Sequence, residues 1–245
     1  FQKFDICFSS SLQSKKYLKH LGAKKIKYIG NLKFSQTEKK EDFLSKDLKK
    51  YFLSKKIWCA ASTHDTEEKF CFIAHKKLKK KYKNLLTIII PRHINRTENI
   101  IEEIQNLNLK VHVHDSNNKI DNNTDIYLVN AYGKTKSFYK LCKTVFLGGS
   151  LIKHGGQNPL EAAKYGCKIL HGPNISNFQE IYSMLNKYGL SNKVVNSKQI
   201  INKVKKSFNS KNNTQNIKIK IKNLGDKILK LTLKEVSFLV EKNET

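Results

Sequence analysis

Short apolar runs of strand length alternate with amphipathic segments along most of this 245-residue chain. The clearest apolar runs are 57–61, 85–90, 125–129 and 144–147, and segments of helical period include 66–82, 94–107 and 158–165. Strands that are apolar throughout, separated by amphipathic helices, are typical of a parallel sheet covered by helices on both faces. We therefore predict an α/β, Rossmann-like doubly wound parallel sheet, in which ligands bind beyond the carboxyl ends of the strands.

The same patterns divide the chain into four stretches. Residues 1–34 form a strand–helix–strand unit, 35–50 a charged linker with some helix, 51–217 the long alternating series, and 218–245 a C-terminal helix. The chain begins with Phe1 in the middle of a pattern, so we expect a fragment of a longer protein.

The net charge of +27 suggests a polyanionic partner, such as a nucleic acid, a phosphate-rich ligand or an anionic membrane surface. The alternative is compositional, because Lys, Asn and Ile are abundant everywhere. Lys far outnumbers Arg, the better reader of bases and phosphates, and most aromatic residues occupy core-like positions. We therefore expect no specific nucleic-acid partner.

The five cysteines are widely spaced and form no Cys-x-x-Cys motif, so we predict buried free thiols in a reducing compartment. His112, His114 and Asp115 imitate part of a metal site but lack a third well-placed ligand, so we predict no metal site. No apolar run reaches the roughly 18 residues of a membrane span. This part of a membrane-associated protein would therefore lie on the bilayer.

The densest motif is the segment 148–161, which follows a predicted strand and leads into a predicted helix. Its four glycines are Gly148, Gly149, Gly155 and Gly156. Glycine permits positive φ and close approach of the backbone to a ligand, and a helix N-terminus attracts phosphate. Glu161 could accept hydrogen bonds from a ribose diol. A tight turn before a capped helix is the alternative, but two Gly-Gly pairs exceed what a turn needs, so we favour nucleotide binding.

Three further polar segments follow predicted strands. Pro91-Arg92-His93 follows 85–90, and Arg92 is one of two arginines in a lysine-rich chain, which favours bidentate phosphate binding over an ordinary surface role. His93 could contact a substrate or cap the next helix. Ser62 and Thr63, before His64, could bind a phosphate or sugar, and the alternative is helix capping by Thr63 or by Thr66. Gly133, which follows 125–129, permits close backbone contact but is a weak signal alone.

These segments, in this order, resemble the Kdo transferase family, GT-B enzymes that transfer 3-deoxy-D-manno-octulosonic acid (Kdo) from CMP-Kdo to a lipid A precursor. The matching pieces are G-N-L-K-F at 30–34, A-A-S-T-H at 60–64 with E-E at 67–68, P-R-H at 91–93, G-G-S-L at 148–151, G-G-Q-N-P-L-E at 155–161, and G-P-N at 172–174 with N-F at 177–178. The resemblance weakens towards the C-terminus of the chain.

The resemblance implies a binding site for the donor CMP-Kdo, with no metal or other cofactor. The implied donor-binding residues are Pro91, Arg92, Gly133, Lys134, Gly148, Gly149, Ser150, Asn158 and Glu161. Further possible contacts are Ser62, Thr63, His64, His93, Gly155 and Gly156. Among them, Arg92 would meet the CMP phosphate and Glu161 the ribose. Lys134 departs from the family, which usually has an acidic residue there.

The family inverts the anomeric centre by means of a carboxylate base in its N-terminal domain. The resemblance therefore implies that 1–34 end an N-terminal acceptor domain, most of which is absent, and that 51–217 form the donor domain. No catalytic residue is expected in this chain, because the base is expected upstream of Phe1, and the chain alone is expected to be inactive.

The acceptor implied is a phosphorylated lipid A precursor, lipid IVA, at the cytoplasmic face of the bacterial inner membrane. The lysine-rich surface would then bind anionic headgroups, and this portion would be peripheral. Another GT-B glycosyltransferase or a sugar-nucleotide epimerase is the first alternative, because it shares the glycine-rich loop and the acidic ribose contact. A basic nucleic-acid-binding protein is the second.

Overall fold

The computed structural model of the protein describes residues 1–36, 44–114, 120–210 and 214–243. The chain forms two compact units. The larger comprises residues 40–217, and the smaller combines residues 1–39 with 218–245. The assignment of 1–34 to an acceptor domain and of 51–217 to a donor domain stays a prediction.

The larger unit is built on a seven-stranded parallel sheet. Its strands are β3 (Lys56–Thr63), β4 (Leu85–Pro91), β5 (Val111–Val113), β6 (Ile126–Leu128), β7 (Thr144–Leu147), β8 (Lys168–His171) and β9 (Ser191–Lys193). They lie in the order β5-β6-β4-β3-β7-β8-β9. Together with its helices, this sheet confirms the predicted Rossmann-like fold of the GT-B type.

Helices connect the strands, as a parallel sheet requires. They are α2 (Lys46–Leu53), α3 (Glu67–Lys79), α4 (Thr97–Asn106), α5 (Thr135–Tyr139), α6 (Leu160–Lys164), α7 (Gln179–Lys187) and α8 (Ser197–Asn209), with single 3₁₀ turns at Ile94–Arg96 and Ser176–Phe178. Most helices begin and end within a few residues of the bounds predicted from hydrophobic period.

Side chains alternate between the two faces of the central strands, and both faces are covered. On one face Trp58 and Phe146 pack with residues of α3, α4 and α8, among them Phe72 and Ile104. Cys59, Cys71, Cys142 and Cys167 are buried free thiols, as predicted, whereas Cys7 is half-buried. On the opposite face Tyr127 meets Phe52 of α2 edge-on, with ring centroids 5.0 Å apart.

Two elements escaped the sequence pattern. The linker predicted at 35–50 leads into α2, whose N-cap Ser45 accepts a hydrogen bond from the Leu48 N–H at 3.2 Å; residues 37–43 lie outside the described part. β9 is a polar three-residue strand that forms only as the parallel neighbour of β8. Tertiary pairing therefore outweighs its weak intrinsic strand propensity.

The smaller unit contains a two-stranded parallel sheet of β1 (Cys7–Ser9) and β2 (Ile26–Tyr28), joined by α1 (Leu12–His20), as predicted for a strand–helix–strand unit. The 3₁₀ turn Leu32–Phe34 follows β2. The long C-terminal helix α9 (Thr214–Asn243) belongs to this unit from Lys218 onwards. A Cβ added at Gly225 of α9 would lie 2.4 Å from the Phe34 carbonyl oxygen, so the helix backbone lies directly against this turn.

Among the described helices, none is long and apolar enough to cross a membrane.

Candidate functional site

The strand order reverses between β3 and β7. From β3 the chain builds outward through β4 to one edge of the sheet, then returns to β7 on the other side of β3. The crevice at the carboxyl ends of such a pair is where open α/β sheets bind ligands. Ser62 and Thr63 form the carboxyl end of β3 and His64 follows it, while the segment after β7 begins with Gly148. Two of the predicted motifs therefore meet at the expected binding edge.

A buried carboxylate holds the glycine-rich loop in place. Glu67, in the first turn of α3, is fully buried, and its Oε2 accepts hydrogen bonds from the N–H groups of Gly149 (2.6 Å) and His64 (3.0 Å). Its Oε1 accepts from the N–H groups of Ser150 (3.0 Å) and Leu151 (2.9 Å). Four backbone donors from both sides of the crevice thus converge on one side chain. The three loop amides are already paired inside the protein.

The loop also needs glycine at Gly148 for steric reasons. A Cβ added there would lie 2.3 Å from the Ser62 carbonyl oxygen and 2.5 Å from the Thr63 Cα, so a side chain would force β3 and β7 apart. Ser150 is fully buried, donates to the Leu147 carbonyl and accepts from the Gly172 N–H at 2.8 Å. Gly148 and Ser150 therefore help to hold the carboxyl ends of β3, β7 and β8 together.

The second Gly-Gly pair closes the loop. Gly149, Gly155 and Gly156 adopt φ values of 65°, 99° and 78°, which favour glycine, and the Gly156 N–H donates to the Gly149 carbonyl at 2.7 Å. Asn177 donates from Nδ2 to the His154 carbonyl at 3.3 Å, and its backbone N–H donates to the Gly155 carbonyl at 3.1 Å. The loop is thus held by hydrogen bonds from Asn177 in addition to those that Glu67 accepts.

The end of β3 and the turn that leads from it into α3 are strained. Ser62 has φ 53° and Thr66 has φ 72°, a left-handed conformation that is uncommon for residues other than glycine. Thr66 makes no side-chain cap bond to α3, and in the described part of the chain the buried Thr63 Oγ1 has no hydrogen-bond partner. The capping alternative for these threonines is therefore wrong, since the Glu67 carboxylate binds the His64 N–H instead. Strain of this kind concentrates at functional sites.

His64 lies over the loop and stays neutral. Its ring lies 4.3 Å from that of His154 and 5.6 Å from that of His93, between centroids. Burial, reinforced by the positive charge of His154, His93 and Arg92, lowers the pKa of His64 to about 4. The Gln157 Nε2 lies 3.4 Å from the His64 Nε2. Because the amide nitrogen is a donor, this pairing assigns the acceptor role to that ring nitrogen.

The two arginines have different surroundings. Arg96 forms two hydrogen bonds with the carboxylate of Glu68 (2.9 and 3.2 Å) and one with Asp65 (3.1 Å). Arg92 is exposed, and its backbone N–H donates to the Thr63 carbonyl at 2.9 Å, which places it beside the end of β3. Over the ranges that the structure describes, the Arg92 guanidinium has no acidic partner. Arg92 is therefore the arginine available to a ligand.

The remaining predicted residues lie along α6 and the segment after β6. Asn158 accepts from the Leu160 N–H at 3.1 Å and so caps the first turn of α6. Glu161, half-exposed, lies 3.8 Å from the Lys136 Nζ of α5, which brings α5 beside α6. Gly133 precedes α5 with φ 75° and open space around its Cα, and the half-buried Lys134 follows it.

The histidines of β5 serve the fold. His112 stacks on Tyr127 with centroids 5.4 Å apart, and the His114 Nδ1 lies 2.7 Å from the Tyr127 hydroxyl. Asp115 lies outside the described residues. Within the described ranges, no group of three or more His, Cys, Asp or Glu side chains is arranged to hold a metal ion.

Sequence reasoning missed three residues of this site. Glu67, His154 and Gln157 appear in the sequence only as members of the motifs at 67–68 and 148–161, with no role of their own. The signal for Glu67 was the pair of acidic residues directly after a strand end, opposite a loop rich in free amides. No local pattern places His154 over His64, because 90 residues of chain separate them.

Comparison with known proteins agrees with the motifs. The chain is 37% identical over 130 residues to the 3-deoxy-D-manno-octulosonic acid transferase of Haemophilus influenzae, covering 53% of this chain and 30% of that protein. It is 27% identical over 203 residues to the enzyme of the same name from Aquifex aeolicus, covering 83% of this chain and 54% of that protein. The chain thus spans about a third to a half of these curated relatives. No family model matches the sequence.

A solved structure matches the fold more completely. The C-terminal CMP-Kdo binding domain of WaaA from Acinetobacter baumannii superimposes with a TM-score of 0.64 at 27% identity, covering 73% of this chain and 91% of that domain. The fold and its relatives together define the class of the chain, a Rossmann-like domain of the GT-B type. Within that class, the chain is similar to the C-terminal portion of Kdo transferases, as the motifs predicted.

Proposed function

We propose that this chain binds CMP-Kdo at the carboxyl edge of the seven-stranded sheet and is the donor-binding part of a Kdo transferase. The similarity to a C-terminal CMP-Kdo binding domain carries the proposal, because 91% of that domain is matched. The available guanidinium of Arg92 at the β3–β7 crevice supports it, since an exposed arginine without an acidic partner suits a phosphate.

In this proposal the residues divide the nucleotide between them. Arg92 holds the CMP phosphate, and Pro91 fixes the backbone before it. Glu161 accepts hydrogen bonds from the ribose, helped by the cap that Asn158 provides to α6. Gly133 and Lys134 border the cytosine. The glycine-rich loop shapes the pocket floor through its backbone, while Glu67 keeps its amides paired.

Calorimetric titration of the chain with CMP, UDP and GDP tests the donor. We expect binding of CMP in preference to the other two. Arg92→Ala removes charge-assisted hydrogen bonds worth about 1.5–3 kcal/mol, so CMP affinity should fall roughly 10- to 100-fold. Lys187→Ala is the matched control, because it removes one exposed positive charge at the end of α7, away from this edge.

Two results would contradict the donor assignment. A preference for UDP or GDP would favour another GT-B glycosyltransferase or a sugar-nucleotide epimerase. Binding of short RNA that falls steeply with salt would favour the nucleic-acid alternative. Glu161→Ala should weaken CMP more than 2′,3′-dideoxy-CMP, since only the ribose diol needs the carboxylate.

We further propose that the complete enzyme transfers Kdo to lipid IVA, with its general base supplied by protein outside these 245 residues. The relatives' greater length supports this, because this chain spans 30–54% of the two transferases compared above. The chain alone should then bind donor without transferring Kdo. Radiolabelled Kdo transfer to lipid IVA by this chain would refute the claim.

The acceptor also gives a reason for the basic surface. Each lysine near an anionic membrane contributes about 1 kcal/mol of attraction, and the net charge is +27. We propose peripheral binding at the cytoplasmic face of the inner membrane. Co-sedimentation should show stronger binding to vesicles containing phosphatidylglycerol than to pure phosphatidylcholine. Equal binding to the two would count against it.

A further inference from the structure

Imidazoles from three separate segments meet at the carboxyl edge of the sheet. His64 follows β3, His93 follows β4, and His154 belongs to the loop after β7. The His64 ring is buried and lies beside both of the others, with centroid distances of 4.3 Å to His154 and 5.6 Å to His93. His93 and His154 are exposed. We call these three residues the imidazole cluster.

Two members of the imidazole cluster, His64 and His154, lie directly over the glycine-rich loop. A Cβ added at Gly149 would meet the His154 Nδ1 at 3.1 Å, the His64 Nε2 at 3.3 Å and the Gln157 Nε2 at 3.4 Å. Three polar side chains therefore point at one spot on the loop. These three side chains leave little room for a Cβ at position 149, so their packing requires glycine there, as the positive φ of Gly149 does.

The electrostatic surroundings of the cluster are positive. The neighbours that lower the pKa of His64, after burial itself, are His154, His93, Arg92 and Arg96, all of them bases. Arg96 is compensated by its hydrogen bonds to two carboxylates, whereas Arg92 is not.

The nearby acids are all engaged elsewhere. Glu67 binds four backbone amides, and Glu68 and Asp65 bind an arginine. Within the part of the chain that the structure describes, neither His93 nor His154 forms an ion pair with an acidic side chain. The cluster thus offers donors and positive potential that the protein itself does not balance.

We propose that His93 and His154 bind the carboxylate of the sugar acid in the donor, while Arg92 binds its phosphate. The inference rests on the proposed function, because it names the residues that bind the second negatively charged group of the same ligand. An imidazole has at least one N–H donor in either protonation state, so two rings facing one anion can donate to both carboxylate oxygens. His64 is a positioning residue, since it is neutral and its ring packs against both of the others.

The experiment compares three ligands by calorimetry: CMP, a non-hydrolysable CMP-Kdo analogue, and the methyl ester of that analogue. CMP has only the phosphate, and the ester keeps the sugar but loses the carboxylate charge. We expect the wild-type chain to bind the acid at least about tenfold more tightly than the ester. His93→Ala and His154→Ala each remove the N–H donor and should each reduce that ratio to about threefold, and the double variant to about one.

Both substitutions are at exposed side chains, so the variants should fold, and thermal unfolding checks this. His20→Ala is the matched control, because it removes an exposed imidazole from α1 and should leave the ratio unchanged. If the two alanine variants weaken CMP as much as the acid, the imidazoles bind phosphate and the inference is overturned. If the chain binds CMP but binds the acid and the ester equally, the inference is wrong while the proposed function stands. If none of the three ligands binds, the proposed function fails with it.

Discussion

Replacing Glu67 by glutamine should strongly destabilise the larger unit. The side chain keeps its size, but the new amide group presents hydrogens to backbone N–H groups that are themselves donors. Whichever way the amide turns, one carboxylate oxygen is lost, and each oxygen accepts two of the four hydrogen bonds. Two buried N–H groups are then left unpaired.

The magnitude follows from that count. An unpaired buried donor costs about 1–3 kcal/mol, so the free energy of unfolding should fall by roughly 2–6 kcal/mol. This is a large share of the roughly 5–15 kcal/mol that stabilises a typical domain. Glu98→Gln, in the exposed first turn of α4, is the matched control and should cost less than about 1 kcal/mol.

Urea unfolding measures the effect. Trp58 is the only tryptophan and is buried in the centre of β3, so its fluorescence reports on the sheet that leads into this site. Hydrogen exchange adds a local test, since the amides of Gly149, Ser150 and Leu151 should be protected in the wild type and exchange faster in the variant. An unfolding midpoint within error of the wild type, at an unchanged m-value, would refute the reasoning.

Three further predictions concern the same unit. Gly148→Ala should lower the free energy of unfolding far more than Gly133→Ala, where only the left-handed backbone costs about 1 kcal/mol. If the two variants lower the urea midpoint equally, the steric argument is wrong. His64 and His75 both have pKa values lowered by burial, to about 4 for His64, so the unfolded chain binds protons that the folded one does not. The contribution of these histidines to the free energy of unfolding should therefore be complete above about pH 6.5. It should fall towards pH 4 by at most about 1.4 kcal/mol per pH unit for each histidine. His64→Gln should reduce the change in urea midpoint between pH 7 and pH 5. Asp125→Asn weakens the hydrogen-bond acceptor of His75 (3.3 Å) and should lower the free energy of unfolding by about 1–3 kcal/mol, measured with urea. An unchanged urea midpoint would contradict this, because solvent would then replace the contact without loss.

The hydrophobic pattern was enough to predict the parallel sheet and nearly every helix. Apolar runs such as 85–90 are long enough and uniform enough to have one interpretation, a strand covered on both faces. β9 could not be predicted, because Ser191–Lys193 contains no apolar residue and takes strand form only beside β8. The pattern also gives no strand order, and so no reversal between β3 and β7.

The site was predictable where one segment carries the whole signal. The glycines after β7 and the arginine after β4 stand out because their residue types are unusual in this chain. The role of Glu67 was not predictable, since three of its four partners are backbone amides 82 to 84 residues away, and backbone amides look alike in any sequence. The imidazole cluster was hidden for the same reason, because only the packed sheet brings its three segments to one place.

The carboxylate of Glu67 occupies the position over the loop amides that a ligand's anion takes in many phosphate-binding loops. The loop therefore has its final shape before any ligand arrives, and binding need not supply the free energy to order it. Recognition is left to side chains around a fixed backbone frame. Such a frame can change its preferred ligand by single substitutions at the rim, without refolding the loop that supports them.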